Sequence, residues 1–313
     1  METQALALAR SRAAKNLPER LTWGPLTLSV TDLDSAVEFW TSAIGFTRRP
    51  DEKIGVALGT KDRTLVVLQP GAKRLVQNGH AGMYHVAFGM ASQAEFSRRM
   101  ERFLNLGVPF SAVDHLMSKA LYLNDPDGHG IEIAWETPER FGRFADEGGR
   151  FAMYDRFGNP HTGREPLDLK AELAMSDGVY AAVPVHPATT VAHLHLHVPE
   201  LAPALEWFES LGFARNLDLS RHGMADMGTG AAYTHRLAVN TWAGRGVSPA
   251  PANSARLLSY RLEAADAETF ASARSVLAED PQTGELVGVD PSGASVVMTL
   301  KSDQRDIGKT DAA

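Results

Sequence analysis

The chain has 313 residues, 44% of them apolar and 22% charged, which is the size of two domains and the balance of a globular protein rather than a disordered one. Its 31 basic and 38 acidic side chains sum to a formal charge of −7, which leaves no general basic footprint for nucleic acid, and no apolar run reaches the roughly 18–20 residues of a membrane span. With no cysteine, the chain excludes disulfides, thiolate-held zinc, iron–sulfur clusters and thiol nucleophiles, so any metal must be held by His, Asp and Glu.

Met1 to Arg20 sets Arg10, Arg12, Lys15 and Arg20 among alanines without the continuous apolar stretch of a signal peptide, which reads as a cytoplasmic protein. Leu26 to Phe46 (LTLSVTDLDSAVEFWTSAIGF) then predicts an alternating strand, an amphipathic helix and a closing Gly. Tyr84 to Phe96 (YHVAFGMASQAEF) predicts a second strand-then-helix pair, and Asn124 to Gly128 (NDPDG) a tight turn before the apolar strand IEIAW. Thr137 to Thr190 is rich in Gly, Pro and charge, with one short helical candidate around Leu167–Ala174, and reads as a crossing segment.

All three patterns then return. Leu194 to Phe213 (LHLHVPELAPALEWFESLGF) repeats the first with one deletion, Leu258 to Phe270 (LSYRLEAADAETF) the second, and Val289 to Gly293 (VDPSG) the third, followed by VVMTL. The repetition predicts an α+β fold of four βαβββ modules in two halves, paired into partly closed, barrel-like sheets around a metal site. The expected boundaries are 21–136 and 191–300 for the halves, 137–190 for the crossing segment and 301–313 for a polar tail.

Aligning the repeats shows which strand positions carry ligand chemistry. His193 aligns with Pro25, His85 with Ser259, and Glu132 with Val297, so the copies have kept complementary donors. A strand histidine more often merely packs, but a Glu on the inward face of IEIAW is harder to place without a partner. Together His85, Glu132 and His193 make two imidazoles and a carboxylate, the facial set that suits divalent iron or manganese and leaves positions open for substrate and oxygen. Alternation puts His193, His195 and His197 on one face, so periodicity alone does not choose among them. The set is complete only if the second module pairs with the third, and the first with the fourth.

The segments GPLTLSVTDLD (24–34), YHVAF (84–88), ALYLNDPDGHGIEI (120–133), AHLHLHV (192–198) and THRLAVNTWAGRG (234–246) resemble the vicinal oxygen chelate superfamily. Within it they are most similar to the two-domain extradiol ring-cleavage dioxygenases of the catechol 2,3-dioxygenase type, over roughly Leu21 to Leu300. The DPDG turn and its strand are shared with glyoxalase and fosfomycin-resistance members, whereas their combination with THRLAVNTWAGRG points to the ring-cleaving branch. The resemblance implies His85, Glu132 and His193 as metal ligands, with His195 as the fallback for His193. It further implies His235 as the acid/base near bound oxygen, Tyr122 as a hydrogen-bond partner of the substrate oxygen, and His115 as a contact to the substrate hydroxyl, with Asp114 to orient it. Trp242 is a candidate to line the pocket, while His129 reads as a turn residue and His80, His161, His186 and His222 as surface or linker positions.

The activity implied is Fe(II)-dependent insertion of both atoms of O2 into a catechol-like or hydroquinone-like ring, with Mn(II) as the alternative metal. The partners implied are a small aromatic diol and O2, with a homo-oligomer left open. Many resembling enzymes keep all three ligands in the C-terminal half; here Ser259 and Val297 occupy two of those places. The alternative activity is a metal-dependent isomerase, lyase or thiol transferase on the same scaffold, which needs no oxygen.

Overall fold

The structure is a computed structural model that describes residues 19–50, 55–146, 151–176, 179 and 182–301. The readings placed on Arg10, Arg12, Lys15 and the polar tail beyond Lys301 lie outside the described residues.

In chain order the strands are β1 (Leu21–Val30), β2 (Thr47–Arg48), β3 (Val56–Gly59), β4 (Thr64–Pro70), β5 (Gly82–Gly89), β6 (Ser111–Asp114), β7 (Ser118–Asn124) and β8 (Gly130–Glu136). The crossing segment adds β9 (Phe141–Asp146), β10 (Phe151–Asp155), β11 (Pro160–His161) and β12 (Glu165–Pro166). The remainder are β13 (Thr190–His197), β14 (Ala214–Leu219), β15 (Met224–Gly228), β16 (Leu237–Asn240), β17 (Arg256–Ala264), β18 (Ala278–Glu279), β19 (Leu286–Val289) and β20 (Ser295–Leu300). The α-helices are few and short: α1 (Leu33–Phe39), α2 (Gln93–Leu106), α3 (Leu169–Leu173), α4 (Leu201–Ser210) and α5 (Ala267–Ser272).

Two large mixed sheets carry the α+β fold. One runs β18-β19-β20-β17-β1-β4-β3-β2, the other β12-β6-β7-β8-β5-β13-β16-β15-β14. Each draws strands from both ends of the chain: β1 lies antiparallel to β17, and β5 antiparallel to β13. The expected barrel-like closure is not found, because no pairing among the described residues joins the edge strands of either sheet. A barrel needs a continuous ladder around its circumference, and three of the four edges, β2, β18 and β12, are two residues long.

Local chemistry explains the strand-to-helix steps. The Asp32 carboxylate accepts from the Ser35 backbone N–H at 3.0 Å to cap α1, and Ser92 caps α2 in the same way through Glu95 N–H at 3.2 Å. The chain leaves α1 through a π turn over Trp40–Ile44 and then turns at Gly45, whose φ of +88° favours a residue without Cβ. The duplicated turns are also built alike. Asp125 Oδ1 accepts from the N–H of Asp127 and His129 at 3.0 and 2.9 Å, and Asp290 Oδ1 from those of Ser292 and Ala294 at 2.8 and 3.0 Å.

Strand alternation separates the core from the site. Val86 and Phe88 of β5, Ile131 and Ile133 of β8, and Leu194 and Leu196 of β13 are fully buried in the main core with Leu26 and Leu28 of β1 and Tyr260 of β17. Burying each such side chain contributes about 1.5–3 kcal/mol. The intervening residues, His85, Glu132, His193 and His195, therefore point to the opposite face. A second, smaller cluster of Leu116, Met117, Phe141, Phe144, Met153 and Tyr233 is built partly from the hairpin β9–β10. The segment read as a crossing thus carries an antiparallel sheet of its own, β11-β10-β9. Its short helix α3 falls inside the helical window expected there.

Candidate metal centre

Three adjacent strands bring His85, Glu132 and His193 to one point. Ala87 of β5 stands opposite both His193 of β13 and Glu132 of β8, and His85 lies two residues earlier on the same face. The Nε2 atoms of His85 and His193 are 3.2 Å apart. Glu132 Oε2 lies 3.1 Å from the first and 3.2 Å from the second. Two bonds of about 2.1 Å to a common cation, set roughly at right angles, subtend edges of this length. All three residues are buried, and they are the one such group among the described residues whose donor atoms converge this closely.

The protonation of His193 and Glu132 suits a cation. Burial drives the His193 imidazole down to about 3, against the pull of Glu132, so its ring is neutral near pH 7. Burial opposes ionisation of Glu132, but the two imidazoles beside it hold its carboxyl well below the ordinary range. Neutral imidazoles and an ionised carboxylate are the forms that bind metal. The residues therefore fit a divalent cation, and the 2-His-1-carboxylate donor set is the one associated with non-haem Fe(II) oxygenases.

Two hydrogen-bonded pairs flank this triangle. On one side the Tyr122 hydroxyl lies 2.9 Å from His115 Nε2, and His115 Nδ1 lies 2.6 Å from the Gly163 carbonyl. A carbonyl only accepts, so the His115 proton sits on Nδ1 and Nε2 accepts from Tyr122. Burial lowers the His115 pKa and raises that of Tyr122 well above its usual value, which keeps both neutral. On the other side His235 Nδ1 lies 2.7 Å from Asp226 Oδ2, with its ring centroid 4.7 Å from that of His193. Burial opposes charge on His235, but the Asp226 carboxylate outweighs it and raises the imidazole pKa. Asp226 is itself fixed by Asn216 Nδ2 and the Leu217 N–H at 2.9 and 2.8 Å.

His195 is not part of the triangle. Asn240 Nδ2 donates to its Nε2 at 2.8 Å, and Asn240 Oδ1 accepts from His197 Nδ1 at 2.6 Å. One amide therefore holds both neighbouring histidines of β13, and His193 alone of the three meets Glu132.

His85, His115, Tyr122, Glu132, His193 and His235 all line one cavity of about 660 Å3. Its apolar side includes Met117, Phe144, Met153 and Leu217, two of them from the crossing hairpin. Trp242 lies at its rim, half-exposed, as expected for a lining residue. Two expectations are corrected. Asp114 does not orient His115: it pairs with Arg140 at 2.8 Å, and the Gly163 carbonyl orients the histidine instead. His129 is more than a turn residue, being buried with Nδ1 2.9 Å from Asp125 Oδ2. Asp226, Asn240 and Gly163 were missed by sequence reasoning; a buried acid in the apolar strand MADMG was the available signal for the first.

Comparisons with known proteins give the chain's relatives in sequence and fold. Residues 22–133 match the family model described as the glyoxalase/bleomycin resistance protein/dioxygenase superfamily. The chain is 29% identical over 243 residues to catechol-2,3-dioxygenase of Bacillus subtilis (strain 168), covering 76% of this chain and 80% of that protein. It is also 29% identical over 108 residues to glutathione transferase FosA of Serratia marcescens, covering 34% of this chain and 76% of that one. The solved structure of a putative dioxygenase from Bacillus subtilis superposes with a TM-score of 0.54 at 11% identity, covering 90% of this chain and 86% of the other, a likeness of fold.

Proposed function

The chain belongs to the glyoxalase/bleomycin resistance protein/dioxygenase superfamily, and from that premise we propose that it is an extradiol ring-cleaving dioxygenase acting on a small catechol-like or hydroquinone-like aromatic. In this reading the four βαβββ modules form two halves, 21–136 and 191–300, and the second and third share the working sheet. The observation that carries it is the convergence of His85, Glu132 and His193 in a cavity that also holds His115–Tyr122 and His235–Asp226. Similarity to a catechol-2,3-dioxygenase over most of the chain supports it.

His85, Glu132 and His193 would hold Fe(II), or Mn(II), whose ligand preferences overlap. Such a metal, when bound, would supply the Lewis acidity and redox access through which the diol and O2 could react. The net change adds both oxygen atoms to the ring. The O–O bond and the ring C–C bond beside a hydroxyl-bearing carbon break, one oxygen atom completes a carboxyl on that carbon and the other a carbonyl on its former neighbour, and the diol supplies every electron, leaving a ring-opened hydroxy-acid with a new aldehyde or ketone.

The protein's own groups handle the protons. Tyr122 gives its hydroxyl proton to the hydrogen bond with His115 Nε2, which leaves lone pairs on its oxygen to accept from a substrate hydroxyl. His115 Nε2 is then the next proton acceptor in line. On the opposite side Asp226 holds His235 by Nδ1, leaving Nε2 as the proton donor to developing negative charge on oxygen. Met117, Phe144 and Met153 exclude water from the ring face.

The test is anaerobic loading with Fe(II), followed by oxygen uptake and the yellow product of catechol opening. Glu132→Ala and His193→Ala are expected to lose bound metal and fall to background turnover. Full turnover in either would overturn the ligand assignment. The second reading, a metal-dependent isomerase, lyase or thiol transferase, draws on the similarity to FosA across 108 residues. Turnover without O2, with nickel, zinc or manganese preferred, would establish it instead.

A further inference from the structure

A second cavity of about 480 Å3 adjoins the first, and the two share Tyr84, Asn124 and Trp242 in their walls. We propose that it binds a small hydroxylated organic acid, with the carboxylate on Arg256 and the hydroxyl on His129. None of the residues lining this cavity is acidic. Arg256, on β17, has no ion pair among the described residues, and its Nε is buried without a hydrogen-bond partner. A guanidinium in that setting presents a fork of donors to an oxyanion.

His129 supplies the complementary group. Asp125 Oδ2 can only accept, so it fixes the proton on His129 Nδ1, 2.9 Å away, and it also accepts from Trp40 Nε1 at 3.1 Å. With that proton on Nδ1, the other ring nitrogen, Nε2, is buried and unpartnered. A buried polar atom without a partner calls for an explanation, and in a cavity wall a bound ligand supplies one. His80 also lines the cavity, and its Nδ1 is likewise buried without a partner. The cavity thus offers donors to an anion and an acceptor for a hydroxyl.

Ring opening turns an uncharged diol into a hydroxy-acid, and the cavity beside the metal centre has the polarity to receive that product; this link rests on the dioxygenase reading, whereas the binding itself does not. The test is calorimetric titration of metal-free protein with salicylate, which carries a carboxylate and a hydroxyl, and with benzoate, which lacks the hydroxyl. Salicylate is expected to bind with a stoichiometry of one per chain, and benzoate several-fold more weakly. Arg256→Met, which breaks no ion pair, is expected to weaken salicylate by about 10-fold or more, since charge-assisted bonds are lost. His193→Ala is expected to leave it within about twofold. A melting curve for each variant confirms folding. Salicylate binding that is absent, unchanged in Arg256→Met or lost in His193→Ala would overturn the proposal, and equal binding of benzoate would overturn the role of His129. Because no turnover is measured, failure here is separable from failure of the proposed reaction.

Discussion

Asp226 and Gly163 act on the site through other residues, and their placement sets what His235 and His115 can do. His235 is raised by its carboxylate partner and His115 lowered by burial, so two histidines in one cavity have opposite proton affinities. That division suits a donor on one side of the substrate and an acceptor on the other. Under the proposed reaction, His235→Ala is expected to lower kcat by about 10²–10⁴-fold, with metal content unchanged. Asp226→Asn is expected to fall between that variant and wild type, measured by steady-state kinetics beside metal analysis. His85 and Glu132 were legible from strand alternation and the repeat register, whereas His193 was singled out from His195 and His197 only by the family resemblance. Asp226 was not, since its contact depends on the β15–β16 hairpin and on Asn216 from β14. A backbone carbonyl such as that of Gly163 leaves no mark in the sequence.

The repeated turns show how the same element diverges in chemistry. Both Asp125 and Asp290 cap their turns through Oδ1, but Asp125 Oδ2 meets His129 and Trp40, whereas Asp290 Oδ2 meets the Tyr260 hydroxyl at 3.0 Å. Burial opposes ionisation of both. The bonds from His129 and Trp40 hold Asp125 below its ordinary range, while burial prevails at Asp290 and raises it. A depressed native pKa means that Asp125 contributes stability above about pH 4, lost as pH falls through the native value. For Asp290 the sign is reversed, with stability lost as pH rises from the ordinary to the native value. Thermal melts should therefore show a fall in Tm below about pH 4. Asp125→Asn should lower Tm at pH 7 and flatten that acid fall, and Asp290→Asn should leave the acid fall in place. The turns themselves were plain from NDPDG and VDPSG; Trp40, in the π turn after α1, and Tyr260 of β17 lie far from their turns in the chain, and their bonds to the second oxygens were not.

At the scale of the molecule, the junctions β5–β13 and β1–β17 tie the two ends of the chain into each sheet. The repeat alignment indicated this crosswise pairing, because neither half holds three donors. The open sheets and the β9–β10 hairpin over the cavity were less accessible: closure depends on edge-strand length, and the hairpin lies in a stretch rich in Gly, Pro and charge. A segment covering 19–140 alone is expected to bind no metal at concentrations that saturate the full chain, read by metal analysis after gel filtration; stoichiometric binding would mean that His193 is dispensable. Leu194→Ala, in the fully buried row behind His193, should cost about 2–5 kcal/mol by denaturant unfolding.

The sheet that lacks the donors follows nearly the same path. Val297 stands opposite Arg261 as Glu132 stands opposite Ala87, and Ser259 precedes Arg261 by the two residues that separate His85 from Ala87. With Pro25, Ser259 and Val297 in those places, the fold carries a silent twin of its own reactive face. Each polypeptide should accordingly take up a single ion, and the barren twin offers an internal blank against which installing donors one at a time would reveal what the backbone alone provides.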